Sequence, residues 1–133
     1  MISIDTKVIV RYIVGDDVEQ TEAARSLVDG LTADDPGFIC REVVLEVAWV
    51  LERSYGFTRS RVAESLMDLT ASDTLVVENS DDAAVAAYLS RQGSVDFSDL
   101  MILAAAEWAG AWPLYTFDRA LARLDGAALV GDE

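Results

Sequence analysis

Met1-Ile2-Ser3-Ile4-Asp5-Thr6-Lys7-Val8-Ile9-Val10-Arg11-Tyr12-Ile13-Val14 opens the chain with a short β-prone run that stops on an acid and passes at once into helical spacing. The same order returns near the other end, where Pro113 to Phe117 reads as a strand, Asp118 follows it, and 118–124 reads as a short helix. Between them, Gly15-Asp16-Asp17 breaks the first helix, and 18–31 resumes helical periodicity through Ala23, Ala24, Leu27, Val28 and Leu31. Pro36-Gly37 punctuates before a second brief strand at 38–40. The run 41–55 reads as a helix, nearly apolar all round from Val43 to Leu51 and so expected to be buried, with Gly56 in the C-cap position. Thr58 caps a fourth helix, and Leu75-Val76-Val77 forms a third strand. Ser80-Asp81-Asp82 starts a helix that Gly93 ends, Asp96 or Ser98 starts another leading to Gly110, and 127–130 is a candidate fifth strand. Short apolar strands alternating with helices predict a parallel sheet covered on both faces. The expected fold class is therefore α/β, a three-layer α/β/α domain over 1–133 with a central parallel sheet of four to five strands. In such sheets crossovers are right-handed and ligands lie beyond the carboxyl ends of the strands.

Composition narrows the chemistry. The chain of 133 residues has no histidine and one cysteine, Cys40. That excludes histidine-based triads, HExxH zinc sites and cysteine zinc clusters. One cysteine allows no intrachain disulfide, and neither a signal-peptide pattern at the start nor a run near membrane-spanning length is present; a cytoplasmic location is expected. No segment is repetitive or linker-like, with order expected to fade only over Gly131 to Glu133. Twenty-four acids against ten bases give a net charge of −14, which argues against sequence-independent grip on long nucleic acid and for a soluble acidic surface. It leaves room for an enzyme that holds a short stretch of RNA through metal ions and a few arginines.

Four carboxylates stand out: Asp5, Glu46, Asp99 and Asp118. Asp5 and Asp118 directly follow strands, at the sheet edge where open α/β folds bind ligands; each is also a natural helix N-cap. Glu46 sits in a mostly apolar helix with Glu42, Val43, Trp49 and Val50 at helical spacing, and a carboxylate among apolar side chains is costly unless partnered. Asp99 lies one turn beyond Asp96, and helix capping needs only one of that pair. If three or four of these acids converge, each like-charged pair at ~4 Å costs on the order of 4 kcal/mol at an effective dielectric of ~20. Protonation or a cation must relieve that cost, and all-oxygen ligands select a hard ion, Mg2+ or Mn2+. Phosphodiester hydrolysis is the economical reaction class.

Ile4-Asp5-Thr6 with Val10-Arg11-Tyr12, Glu46-Val47-Ala48-Trp49-Val50-Leu51, Val95-Asp96-Phe97-Ser98-Asp99-Leu100-Met101-Ile102 and Tyr115-Thr116-Phe117-Asp118 follow one another in an order that resembles the PIN domain, specifically the small ribonuclease toxins of VapBC-type toxin–antitoxin pairs. The resemblance covers essentially the whole chain. It implies an α/β/α fold, a Mg2+- or Mn2+-dependent endoribonuclease, an RNA substrate, a VapB-type antitoxin that blocks the site, and a homodimer. Carried over by position, Asp5, Glu46, Asp99 and Asp118 form the catalytic and metal-binding quartet, with Asp96 an auxiliary metal ligand and Thr116 a polar neighbour. Glu42, one turn from Glu46, is the rival expected to be solvated. Lys7 departs from the Asn or Ser common at its position; it is either a surface lysine or a charge that weakens metal affinity.

Softer candidates follow. Arg11, Arg41, Arg53 and Arg119 are guides for RNA or ordinary surface ion-pair partners, and Trp49, Trp108 and Trp112 are expected in the core or an interface. Tyr12, Ile13 and the helix 18–31 offer a candidate groove for an antitoxin helix. Phosphoaspartate enzymes also place Asp at strand ends, but Lys7 stands where a haloacid-dehalogenase-type site needs its second Asp, and the acidic pair and lysine of receiver domains are missing. A catalytically weak or inactive interaction module on the same fold is the remaining alternative.

Overall fold

The computed structural model describes residues 1–131, so Asp132 and Glu133 of the expected fading tail lie outside the described residues. The elements run β1 (Ile2–Ser3), α1 (Thr6–Val14), α2 (Val18–Asp29), β2 (Gly37–Ile39), α3 (Arg41–Tyr55), α4 (Arg59–Ala71), β3 (Leu75–Val77), α5 (Ser80–Ser90), α6 (Phe97–Trp108), β4 (Leu114–Thr116), α7 (Arg119–Ala122) and β5 (Ala127–Leu129). This is the α/β/α alternation expected from the pattern, with helices layered on a parallel sheet. Among the described residues no helix is long and apolar enough to cross a membrane.

β1, β2 and β3 pair in that order, all parallel, with Ile2 level with Gly37 and Leu75. Gly37 packs closely against core side chains. A Cβ there would lie 2.5 Å from Ile4 Cδ1 and 2.9 Å from Leu31 Cδ1, so any larger residue would have to push the ends of these two side chains aside. β4 and β5 form a second parallel ladder, Leu114 level with Ala127. Of the four to five strands expected, five are present, but they form a three-stranded and a two-stranded ladder with no backbone hydrogen bond joining the two among the described residues.

The core gathers Ile9, Ile39, Val44, Val47, Leu51, Leu66 and Met101, all but inaccessible to solvent. α3 supplies much of it, yet it is not buried all round. Val43, Val44, Val47, Ala48 and Leu51 turn inward, while Glu42, Glu46, Trp49 and Arg53, spaced four, three and four apart, form an exposed face. The expectation of a wholly buried third helix is corrected here. Helical spacing permits two faces even when one carries a tryptophan, and Trp49 is 60% exposed.

Candidate active site

The carboxyl ends of the parallel strands deliver two of the acids. Asp5 follows β1 and serves as the N-cap of α1, its Oδ1 accepting from Thr6 N at 2.7 Å. Asp118 follows β4 and caps α7, its Oδ1 accepting from Leu121 N at 2.9 Å. Both are capping residues, as elementary helix chemistry allows, and each commits Oδ1 to the cap. Thr116 helps to set the second turn, its hydroxyl accepting from Asp118 N at 3.0 Å. Asp96 occupies the N-cap position of α6 but makes no cap hydrogen bond. Its carboxylate is instead paired with Arg59, which also donates to the carbonyls of Gly93 at 2.8 Å and Val95 at 3.2 Å. One guanidinium on α4 thus holds the whole entry to α6, and with it Asp99 in the first turn.

Asp99 is the carboxyl whose protonation the site alters. Burial pushes it up from its ordinary 3.8, the negative charges of Asp96 and then Asp118 push it the same way, and Arg59 opposes them. Asp96 and Asp118 therefore each lie within electrostatic reach of Asp99. Glu46 and Asp96 line one open groove of about 630 Å³, together with Trp49, Arg53, Phe97 and Ser98. Glu46 is exposed rather than set among apolar side chains, so it carries no burial cost. Neither Asp5 nor Glu46 is among the charges that act on Asp99.

A hard divalent cation suits the chemistry of these donors, which are carboxylate oxygens without an imidazole or thiolate among them. Among the described residues, however, no group of three acids stands close enough to hold one ion. A further polar group waits at the β1–α1 junction: Thr6 Oγ1, next to Asp5, is buried without a hydrogen-bond partner. Such an atom costs about 1–3 kcal/mol, so Thr6→Val is expected to raise stability by about 1 kcal/mol, measured by urea unfolding. A drop in stability would mean that the hydroxyl is satisfied in solution.

The Asp99 shift has its own consequence. In the folded chain the protonated form is favoured, so ionising Asp99 costs stability as pH rises through its raised folded value. Below the ordinary 3.8 the group is neutral in both folded and unfolded chains and the cost disappears. In metal-free buffer Asp99→Asn should therefore melt above wild type at neutral pH, the two converging as pH falls towards that value. Equal melting temperatures at pH 7 would contradict the electrostatic crowding described above.

Several softer candidates are structurally occupied. Arg11 donates to Gln20 Oε1 at 2.7 Å and to the Tyr55 hydroxyl at 3.0 Å, tying α1 to α2 and α3. Arg41 donates to the Met101 carbonyl, and its own N–H is capped by Glu78 Oε1 at 2.7 Å. Arg53 stands 5.7 Å from the Trp49 ring centroid, on the groove and outside the ion pairs of the described residues. Trp108 is 75% exposed and donates to Asp82 at 2.7 Å, so it is not a core residue. Trp112 lies against Gly126, and Lys7 is exposed. Arg59 and Glu78 escaped the sequence reading because nothing local separates a clamp from a surface charge.

Set against known protein families, residues 2–127 match the PIN domain. Curated individual proteins gave no match. PIN domains share a nuclease-like α/β/α fold, are generally hydrolases of nucleic acid, and typically bind divalent metal ions. With nearly its entire length matched, and with acids at the ends of β1 and β4 and in the first turn of α6, this chain belongs to the PIN domain family.

Proposed function

We propose that this protein is a Mg2+- or Mn2+-dependent endoribonuclease, the toxin of a VapBC-type toxin–antitoxin pair. The observation that carries the reading is the placement of acids in a PIN-family chain: Asp5 and Asp118 just beyond parallel strands, Asp99 in the first turn of α6, and Glu46 sharing a groove with Asp96. Asp5, Asp99 and Glu46, which do not stand as a close group of three without metal, would have to draw together to hold the ion, with Asp118 and Asp96 as further ligands. When bound, such an ion neutralises phosphodiester oxygens and lowers the pKa of water. The chain's own residues do the positioning. Arg59 fixes the turn that carries Asp96 and Asp99, and Arg53 offers the groove a cation for an RNA phosphate. Asp118, with Oδ1 engaged in the cap, retains Oδ2 to orient an attacking water. Thr116 keeps the Asp118 backbone in register.

A hollow of about 320 Å³ between α1 and α2, lined by Lys7, Val8, Ala23, Ala24 and Leu27, supports docking of an antitoxin helix by its apolar face. Tyr12 and Ile13 line a separate hollow on the other side of α2, with Val28, Leu31 and Leu69. A reducing cytoplasm and a homodimer complete the proposal.

The test is cleavage of a synthetic RNA by the purified protein in Mg2+, Mn2+ or EDTA. Cutting with either ion and none in EDTA is the expected result. Cutting that persists in EDTA refutes the metal requirement. No cutting with either ion leaves the fold as an interaction module.

A further inference from the structure

Trp49 meets solvent where the candidate site opens. One exposed ring is ordinary on a protein surface, so its position matters more than its exposure. Trp49 is 60% exposed and lines the groove of about 630 Å³ together with Glu46, Arg53, Asp96 and Ser98. Glu46 stands one turn before it on α3, and Asp96 and Ser98 belong to the turn that carries Asp99. The ring thus sits beside acids proposed to hold the ion. A groove of that volume falls within the ~300–1,000 Å³ of sites that take small organic groups.

The chemistry of the groove selects its occupant. An indole offers a flat π-face and so does every nucleobase, which makes stacking available whatever the base. Arg53 stands 5.7 Å from the ring centroid, a cation–π distance that steadies the indole and keeps a guanidinium at its side. It is exposed and outside the ion pairs of the described residues, so it can meet the phosphate next to a stacked base. The other charges lining the groove, Glu46, Glu52 and Asp96, are acids. They disfavour a substrate gripped by many phosphate contacts and favour one held by a single guanidinium, an ion and an uncharged stacking contact. Bases inside a duplex have both faces covered by their neighbours. Only an unpaired stretch can turn a face to the ring.

Trp108 gives the contrast. It is more exposed still, at 75%, but it ends α6, roughly 16 Å along the helix from Phe97. Its Nε1 donates to Asp82, and it lines a different hollow with Arg41 and Asn79. Of these two exposed tryptophans, Trp49 alone joins an available cation to the candidate ligands.

We infer that Trp49 is a specificity-determining residue, a platform on which one unpaired base of the RNA stacks while Arg53 holds the adjoining phosphate. The substrate in this inference is the one the nuclease reading supplies, and it rests on that reading.

Cleavage of a short unstructured RNA in Mg2+ or Mn2+ is compared among wild type, Trp49→Ala, Trp49→Phe and Trp108→Ala, with melting curves confirming that each folds. Stacking made in the ground state and kept in the transition state affects binding alone, so Trp49→Ala should raise KM about 5–150-fold with kcat nearly unchanged. Trp49→Phe should recover part of the loss, and Trp108→Ala should match wild type. The loss should persist at high salt, which screens charges and not stacked rings. An abasic nucleotide is then moved one position at a time along the same RNA. At one position it should raise the KM of wild type by a similar factor and leave that of Trp49→Ala unchanged, because ring and base form one contact. Equal abasic penalties in both proteins, or an unchanged KM in Trp49→Ala, overturn the inference. If that variant with unchanged KM also elutes differently from a sizing column, the ring belongs to a protein contact instead. Wild type that cuts no RNA with either ion ends the nuclease reading alone, and the anisotropy of a fluorescein-labelled copy of the RNA then decides the stacking. Binding weakened by Trp49→Ala and by the abasic site without additivity supports it, whereas no binding, or binding indifferent to Trp49, overturns it.

Discussion

Asp99→Asn is expected to lower kcat for RNA cleavage on the order of 100-fold or more while KM changes little. The carboxylate is proposed to act on groups whose charge develops in the transition state, and an amide of the same shape removes that charge while preserving the turn. The same substitution is expected to raise the melting temperature at neutral pH, since burial and its acidic neighbours Asp96 and Asp118 disfavour the ionised group. Loss of activity joined to a gain in stability is the mark of a residue kept for function at the fold's expense. Asp5→Asn should lose activity on the same scale without that gain. Asparagine still caps α1, and Asp5 is exposed, so stability should move little. The measurements are steady-state cleavage and thermal unfolding on the same preparations. Wild-type kcat in Asp99→Asn would remove this residue from the site, and an unchanged melting point would show that its crowding is relieved in solution.

Leu51→Ala should cost the most stability of any single truncation on α3. Its side chain is wholly buried in the central cluster, one turn after Val47 and just before the Gly56 cap. Leucine-to-alanine changes in such places cost about 2–5 kcal/mol, the upper end applying where neighbours cannot collapse into the gap. Against the ~5–15 kcal/mol of a typical domain, that is a drop in melting temperature on the order of 10 °C or more. Trp49→Ala, two positions earlier on the same helix, is the control. Trp49 lies on the exposed face, so its loss should change stability by only a few tenths of a kcal/mol. Equal losses from the two would refute the two-faced description of the helix.

Much of the architecture is legible in the chain itself. Short apolar runs ended by Asp or a cap, and helices broken by glycine, located each element to within about two residues, because local periodicity and capping are local physics. The helix starting at Val18 ends at Asp29 rather than Leu31, Gly30 N donating to the Ser26 carbonyl at 3.2 Å. The exposure of Glu46 was not legible. A run of apolar letters says nothing of how many neighbours reach each face, and here the face bearing Glu42, Glu46 and Trp49 meets solvent. Which strands share hydrogen bonds was equally hidden, since each pairing joins strands separated in sequence by at least one helix. The acids could be named from their positions after strands. That Asp96 serves Arg59 rather than its own helix, and that Thr6 buries an unpaired hydroxyl, could only be seen in three dimensions.

The grip of Arg59 on the Gly93–Asp96 turn has one more effect. α4 carries no candidate acid, yet through a single side chain it steadies the segment that leads into the Asp99 helix. Loosening α4 anywhere along its length should therefore blunt activity before the protein melts, and lysine at position 59, with one nitrogen instead of a fork, cannot make the same three connections.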